Sequence, residues 1–272
     1  MIPQIPKIFV ILVHYGSATP TQQALSALMR SRRLPDAVVI VDHADVPLRL
    51  SAISDSVTII RPAANTGYSG GILVGVSFLA ARGAQPDDVV VCMNNDAEVG
   101  IDVLEKIYAM FKDATTPLLV GARSGSVNMF SGRAHIEDRT RAAWYRKPYI
   151  HGSLFATTFD VFTRARLPVS YFLYWEDVAW SWRLSAQGVQ LVSLPQVVVK
   201  HNDMRKDLTS SQLYYLARNG ARALTWESGA WGGYWQVLNW GRFIYHRFVS
   251  RKDVVWRALR DSRKNHMGRI SL

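Results

Sequence analysis

Over the first 120 residues, short continuous apolar runs alternate with segments of helical period. The apolar runs fall at 7–13, 37–42, 57–60, 89–93 and 118–120. A run of this length bounded by polar residues reads as a strand buried on both faces. Between the runs, helical patterns lie at about 20–30, 70–81 and 102–111, and Thr19-Pro20 fits an N-cap followed by proline at the first helical position. The alternation predicts an α/β fold with a mostly parallel sheet and right-handed crossovers. In open α/β sheets ligands bind beyond the C-terminal strand ends. The loops after Val13, Asp42, Ile60 and Met93 are therefore the expected ligand edge.

Past residue 120 the pattern changes. Residues 121–160 mix glycines, charges and short alternating runs such as 126–130, which predicts hairpins and irregular loop. A helix is expected from Glu176 to about Ala186, ended by Gly188. A strand at 197–200 and a helix at about 210–224 follow. The last 47 residues differ again. Trp226, Trp231, Trp235, Trp240, Phe248 and Trp256 lie among several further aromatics, and Trp231, Trp235 and Leu238 share one helical face. This divides the chain into a main α/β unit, 1–225, and a basic, aromatic-rich helical extension, 226–272.

Composition adds three constraints. A 272-residue chain that is 49% apolar is globular. Lone Cys92 lies inside a predicted strand, so no disulfide framework exists, which fits a reducing cytosol. No uncharged apolar run reaches the length of a membrane span. The net charge is +11, and residues 241–272 hold nine Lys/Arg against Asp253 and Asp261, so seven of those charges sit in the tail.

Five features carry candidate chemistry. Asn94-Asn95-Asp96-Ala97-Glu98 follows the strand at 89–93. Asp96 and Glu98 either hold one hard divalent cation that bridges to a diphosphate, or belong to an Asn/Asp-rich turn before a helix. Asn65-Thr66-Gly67-Tyr68-Ser69-Gly70-Gly71 precedes a helix. Its small residues admit close backbone approach to an anion at the helix N-terminus, or serve an ordinary helix start. Its glycine spacing is not that of a dinucleotide fingerprint. Trp175-Glu176-Asp177 opens a predicted helix, where acids either complement the macrodipole or present a general base in a partly apolar cleft. His201 directly follows a strand, as a structural residue or a further metal ligand. On the helix near 215, Arg218 and Asn219 follow Tyr214-Tyr215, to meet phosphate or to flank a core tyrosine pair.

Taken together and in this order, these motifs resemble family 2 glycosyltransferases of GT-A fold, and within them the rhamnosyltransferase-like members. The resemblance covers roughly residues 7 to 225, with Val13-His14-Tyr15-Gly16, Asn65–Gly71, Asn94–Glu98, Trp175–Asp177, His201 and Tyr214–Asn219 as its landmarks. It implies Asp96 as ligand of a Mg²⁺ or Mn²⁺ that bridges the donor diphosphate, with Glu98 and His201 as further ligands. It places Val13, Tyr15 and Asp42 at the nucleobase, and Asn65, Gly67, Gly70 and Asn95 at the donor. Arg218 and Asn219 would lie near the diphosphate. Asp177 would be the catalytic base with Glu176 beside it, and Gly152 and Trp175 would mark the acceptor side. The sequence departs from the family pattern at Asp42-His43-Ala44-Asp45, at Gly16 and at Ala179. The first two lie where the family reads the base, so the resemblance leaves the base open.

The implied reaction is an inverting transfer of a sugar, rhamnose from dTDP-rhamnose in the first instance, with UDP-sugars as the other donors. The implied acceptor is a glycan or a lipid-linked saccharide, in cell-surface polysaccharide synthesis. The tail then suits peripheral contact with an anionic membrane at the inner face of the plasma membrane. Its aromatics could equally pack the tail onto the main unit or onto a second copy in a homodimer. No nucleic-acid-binding motif accompanies the basic tail. A sugar-1-phosphate nucleotidyltransferase, or a non-catalytic binding protein on the same scaffold, are the competing readings. The first would carry a glycine-rich loop directly after strand one.

Overall fold

The computed structural model describes residues 6–50, 54–137, 145–194, 199–200, 208–248 and 253–270. Its centre is a seven-stranded sheet. The strands are β1 (Ile8–His14), β2 (Ala37–Asp42), β3 (Val57–Ile60), β4 (Val89–Asn94), β6 (Leu118–Gly121), β10 (Leu154–Thr158) and β11 (Gln190–Ser193). Their order is β11-β6-β10-β4-β1-β2-β3, and only β10 runs antiparallel to its neighbours. A two-stranded ribbon joins β5 (Glu98–Val99) to β12 (Val199–Lys200), and β7 (Ser124–Asn128), β8 (Ala134–Glu137) and β9 (Arg146–Ile150) form a small antiparallel sheet.

Period-two alternation sorts the core strands between two layers. In β1, Ile8, Val10 and Leu12 join a core built with α1 (Ala18–Leu28) and α3 (Val103–Lys112). Phe9, Ile11 and Val13 point the other way. They meet α2 (Gly67–Ala81), α4 (Phe159–Arg164) and α5 (Glu176–Ala186). β4 divides in the same manner, with Val91 and Met93 on one side and Val90 and Cys92 on the other. Both faces of the sheet are covered, which is why its strands read as unbroken apolar runs.

The expected strands β1 to β4 and β6 and the helix at 176–186 lie where the pattern put them, within a residue. Helix α1 starts two residues early, with Ser17 at the N-cap, so Pro20 sits at the third helical position, still in the first turn where no N–H bond is lost. The described residues within 121–160 include the expected hairpin, β7 with β8, and further strands. They hold β7 to β10, and β10 inserts into the central sheet between β4 and β6. Of the strand expected at 197–200, residues 197 and 198 lie outside the described residues. Val199–Lys200 pairs with Glu98–Val99.

The C-terminal helices are α6 (Ser210–Trp226), α7 (Gly232–Phe248) and α8 (Asp253–Arg263). Thr209 and Gln212 form a capping box that starts α6. Trp235, 2% exposed, sits in one buried cluster with Val127, Tyr149, Val178 and Trp182, and Trp231 and Leu238 pack against that cluster. Its indole N–H donates to the carbonyl of Met129 at 3.0 Å. The tail's first aromatic face is thus core, shared across the division expected at 225.

Removing this anchor should open a large cavity. Trp235→Ala is expected to destabilise the fold by about 3–5 kcal/mol in urea denaturation. A change below about 1 kcal/mol would place Trp235 outside the core.

Candidate active site

Three elements converge at the C-terminal end of β4. Asp96 sits in the turn just past the strand. The loop His151-Gly152-Ser153 precedes β10, and the Asn94 N–H bonds the Ser153 carbonyl at 3.1 Å. The start of α5 brings Trp175, Glu176 and Asp177. Together with Tyr68 of α2 they line a cleft of about 390 Å³. The cleft therefore gathers Tyr68, Asp96, Gly152, Trp175, Glu176 and Asp177 from four separate stretches of sequence.

Two hydrogen bonds fix the Asp177 carboxylate. Gly152 N–H donates to Oδ2 and Val178 N–H to Oδ1, both at 2.8 Å. Tyr68 O–H donates to the Gly152 carbonyl at 2.7 Å, so both sides of the Gly152 peptide are held. A β-carbon on Gly152 would lie 3.3 Å from Asp177 Oδ2 and 3.6 Å from the Tyr68 ring. Tyr68 lies inside the Asn65–Gly71 motif, but no spacing rule marks it.

Glu176 behaves differently from its neighbour. It is buried, and its Oε2 has no hydrogen-bond partner. Burial, with the negative charge of Asp177 beside it, pushes its carboxyl up to about 8. Glu176 is thus biased towards its protonated form, while the hydrogen-bonded carboxylate of Asp177 lines the cleft.

The loop that delivers this pair is strained. Phe172, Tyr174 and Trp175 all have φ near +65°, a left-handed conformation that bulky residues rarely adopt. Asn219 holds it, with its side-chain amide within 2.7–3.0 Å of the carbonyls of Tyr171, Leu173 and Tyr174. Arg218 adds bonds to the Tyr171 and Gly268 carbonyls and to Asn219 Oδ1. Both side chains are fully buried. This differs from the expected diphosphate contact of Arg218 and Asn219: their donors are engaged by carbonyls of the acid loop, by the Gly268 carbonyl and by Asn219 Oδ1.

Other expected donor residues are also displaced from that role. Val13 is core, packed toward Gly71 of α2, where a β-carbon would come within 2.9 Å of it. Asp42 is 2% exposed, and its oxygens accept from the backbone N–H of Ala44 and Leu48 and from Arg61. Burial alone would raise its pKa, but these donors outweigh that and hold it below its usual value. It organises the loop after β2 instead of facing a base. Gly67, at φ +76°, abuts the Phe172 carbonyl, and any β-carbon there would collide with it. That glycine is required by packing against the acid loop. Asn65 accepts from the Gly67 N–H at 2.9 Å, and with Gly70 it lines a second groove alongside Leu73, Phe172 and Arg269.

Tyr15 is exposed at the expected sheet edge, 63% accessible, and its carbonyl accepts from Asn95 Nδ2 at 3.3 Å. Asn95 also reaches Thr21 Oγ1 at 3.1 Å, tying the β4 turn to the β1 loop. His14 was not singled out by the sequence. It is buried with Nδ1 2.6 Å from Thr21 Oγ1, and burial holds its pKa below the usual value against the pull of Asp42. Glu98 lies on β5 opposite Lys200 and does not line the cleft. His201 lies outside the described residues. Among the described residues no three His, Cys, Asp or Glu side chains form a metal cage. Asp96, a single carboxylate lining the cleft, could hold a hard cation only together with oxygens from a ligand.

Two measurements follow from this geometry. The folded protein keeps the Glu176 proton to higher pH than the unfolded chain, so stability should fall as pH rises from the ordinary carboxyl range towards about 8. Thermal unfolding across that range should show the decline, and Glu176→Gln should flatten it; equal slopes would show that Glu176 is not the proton carrier. Asn219→Ala should cost about 1–3 kcal/mol in urea denaturation, because it leaves buried carbonyls without donors. A neutral effect would dissolve the clamp.

No family model matches the chain, and no curated protein matches it in sequence. Solved structures do match in fold. One is the mannosyltransferase PcManGT from Pyrobaculum calidifontis in complex with GDP-Man and Mn²⁺, at 13% identity and TM-score 0.54, over 97% of this chain and 87% of that one. A second is GalNAc-T7 with UDP, GalNAc and Mn²⁺, at 14% identity and TM-score 0.60, over 96% of this chain and 55% of that one. S. aureus TarS matches at 12% identity and TM-score 0.51, over 89% of this chain and 44% of that one. Likeness at such identities concerns architecture: the chain has a GT-A-like α/β fold with C-terminal helices.

Proposed function

We propose that this protein transfers a sugar from a nucleoside-diphosphate donor to an acceptor hydroxyl by a single displacement at the anomeric carbon. The observation that carries the reading is the cleft itself: Asp96, at the ligand edge of the sheet, and Asp177, on a rigid mount, line the same space. The fold likeness supports it, since two of the matched structures hold a nucleotide or nucleotide sugar together with Mn²⁺.

In this mechanism the acceptor oxygen attacks the anomeric carbon as its bond to the diphosphate oxygen breaks. The bonding pair leaves with the diphosphate, and the hydroxyl proton passes to Asp177. The two backbone N–H bonds orient the carboxylate and leave lone pairs on both oxygens for that proton. Glu176, protonated, adds no second negative charge against the leaving diphosphate. A Mg²⁺ or Mn²⁺ held by Asp96 and the donor phosphates would supply charge neutralisation at the leaving group. Trp175 and Gly152 form the acceptor side. Rhamnose from dTDP-rhamnose is the first donor to test, with UDP-sugars next, and a glycan or lipid-linked saccharide of cell-surface polysaccharide is the acceptor class. These finer assignments rest on the motif resemblance.

Asp177→Asn, which keeps one of the two backbone bonds, should lower turnover by at least about a hundredfold in protein that still folds by circular dichroism; near-normal turnover would remove the base. Nucleoside diphosphates with Mn²⁺ should raise the melting temperature of the wild type and not of Asp96→Ala. Equal shifts in both proteins would refute Asp96 as the ligand.

A further inference from the structure

Helix α7 is apolar on two opposite faces. One carries Trp235 into the core. The other looks outward and presents Val237, Trp240, Ile244, Tyr245 and Phe248, with Val237 and Phe248 each 71% exposed. These positions recur at three- and four-residue spacing, so they form one stripe along a 17-residue helix about 25 Å long. No charged residue interrupts the stripe. An exposed apolar surface of this extent on a soluble fold marks a docking site.

The stripe is fringed by cations stacked on its aromatic rings. The Arg263 guanidinium lies 3.6 Å from the Trp240 ring centre, and Arg247 lies 5.4 Å from those of Phe248 and Trp256. In sequence, residues 241–272 hold seven of the chain's eleven net positive charges. Face-to-face pairing of two copies would bring those charges together, whereas an anionic surface would neutralise them. No helix among the described residues is long and apolar enough to cross a membrane.

We infer that the outward face of α7 is a membrane-docking surface that lies flat on an anionic bilayer, with Trp240, Ile244 and Phe248 entering the headgroup boundary and arginines at its rim meeting lipid phosphate. This does not depend on the glycosyl-transfer reading.

The test is flotation of the full-length protein with vesicles of phosphatidylcholine alone or containing phosphatidylserine. Wild type should bind the anionic vesicles, at least about tenfold more weakly at high salt, and should not bind the neutral ones. Ile244→Glu with Phe248→Glu should abolish binding at an unchanged melting temperature. Ile244→Ala with Phe248→Ala should weaken it and reads the same contrast if the acidic pair does not fold. Absence of binding to anionic vesicles, or full binding by the variants, would overturn the inference. So would a dimer in light scattering that the same variants dissociate, which would assign the face to a second copy.

Discussion

The amide of Asn219 is the contact on which the rest of the site depends. A chain that must place two carboxyls at the mouth of a sheet needs a sharp reversal before α5. Here Phe172, Tyr174 and Trp175 take left-handed conformations, at a cost on the order of 1–3 kcal/mol each. Such strain persists only where surrounding contacts over-determine it. Asn219 and Arg218 do so by binding the loop's carbonyls. The clamp is itself anchored. Tyr214 donates to Asp261 of α8, Tyr215 accepts from the Ile270 N–H, and the Arg218 guanidinium lies over both tyrosine rings. The C-terminal segment therefore reaches the acid loop through buried hydrogen bonds.

From that loop, order passes across the cleft. Asp177 accepts from Gly152, Gly152 is held by Tyr68, and the next residue, Ser153, bonds the end of β4 beside Asp96. The two carboxylates proposed as base and cation ligand are thus linked through a short run of hydrogen bonds. Preorganisation of this kind is where enzymes gain most of their electrostatic advantage. It also explains why Gly67 has no freedom: α2 has to approach the Phe172 carbonyl closely enough to aim Tyr68 at Gly152.

Much of this was legible in the sequence. Buried parallel strands announce themselves as unbroken apolar runs, so β1, β2, β3, β4 and β6 are readable, as is α5 between Glu176 and Gly188. Strand β10 is not, because an antiparallel insertion is defined by its neighbours β4 and β6 and leaves no distinct local pattern. The motifs marked where chemistry gathers better than what each side chain does. Arg218 next to Asn219 has the chemistry of a phosphate site, and only burial reveals that both face carbonyls. For Asp42, too, nothing local announces that Arg61 and two backbone N–H groups claim its carboxylate. Tyr68 and His14 gain their importance from long-range partners, Gly152 and Asp42, that no spacing rule connects. The aromatic tail held both outcomes at once: Trp235 is core, and Trp240 and Phe248, on the same helix, face outward.

One base acting in one displacement is the core of the proposed reaction, and stereochemistry tests it most directly. Nuclear magnetic resonance of the product formed from a nucleoside-diphosphate sugar with Mn²⁺ would read the anomeric configuration of the transferred sugar. The account predicts configuration opposite to that of the donor. Retention would mean a second displacement or a front-face path, and would contradict the role assigned to Asp177.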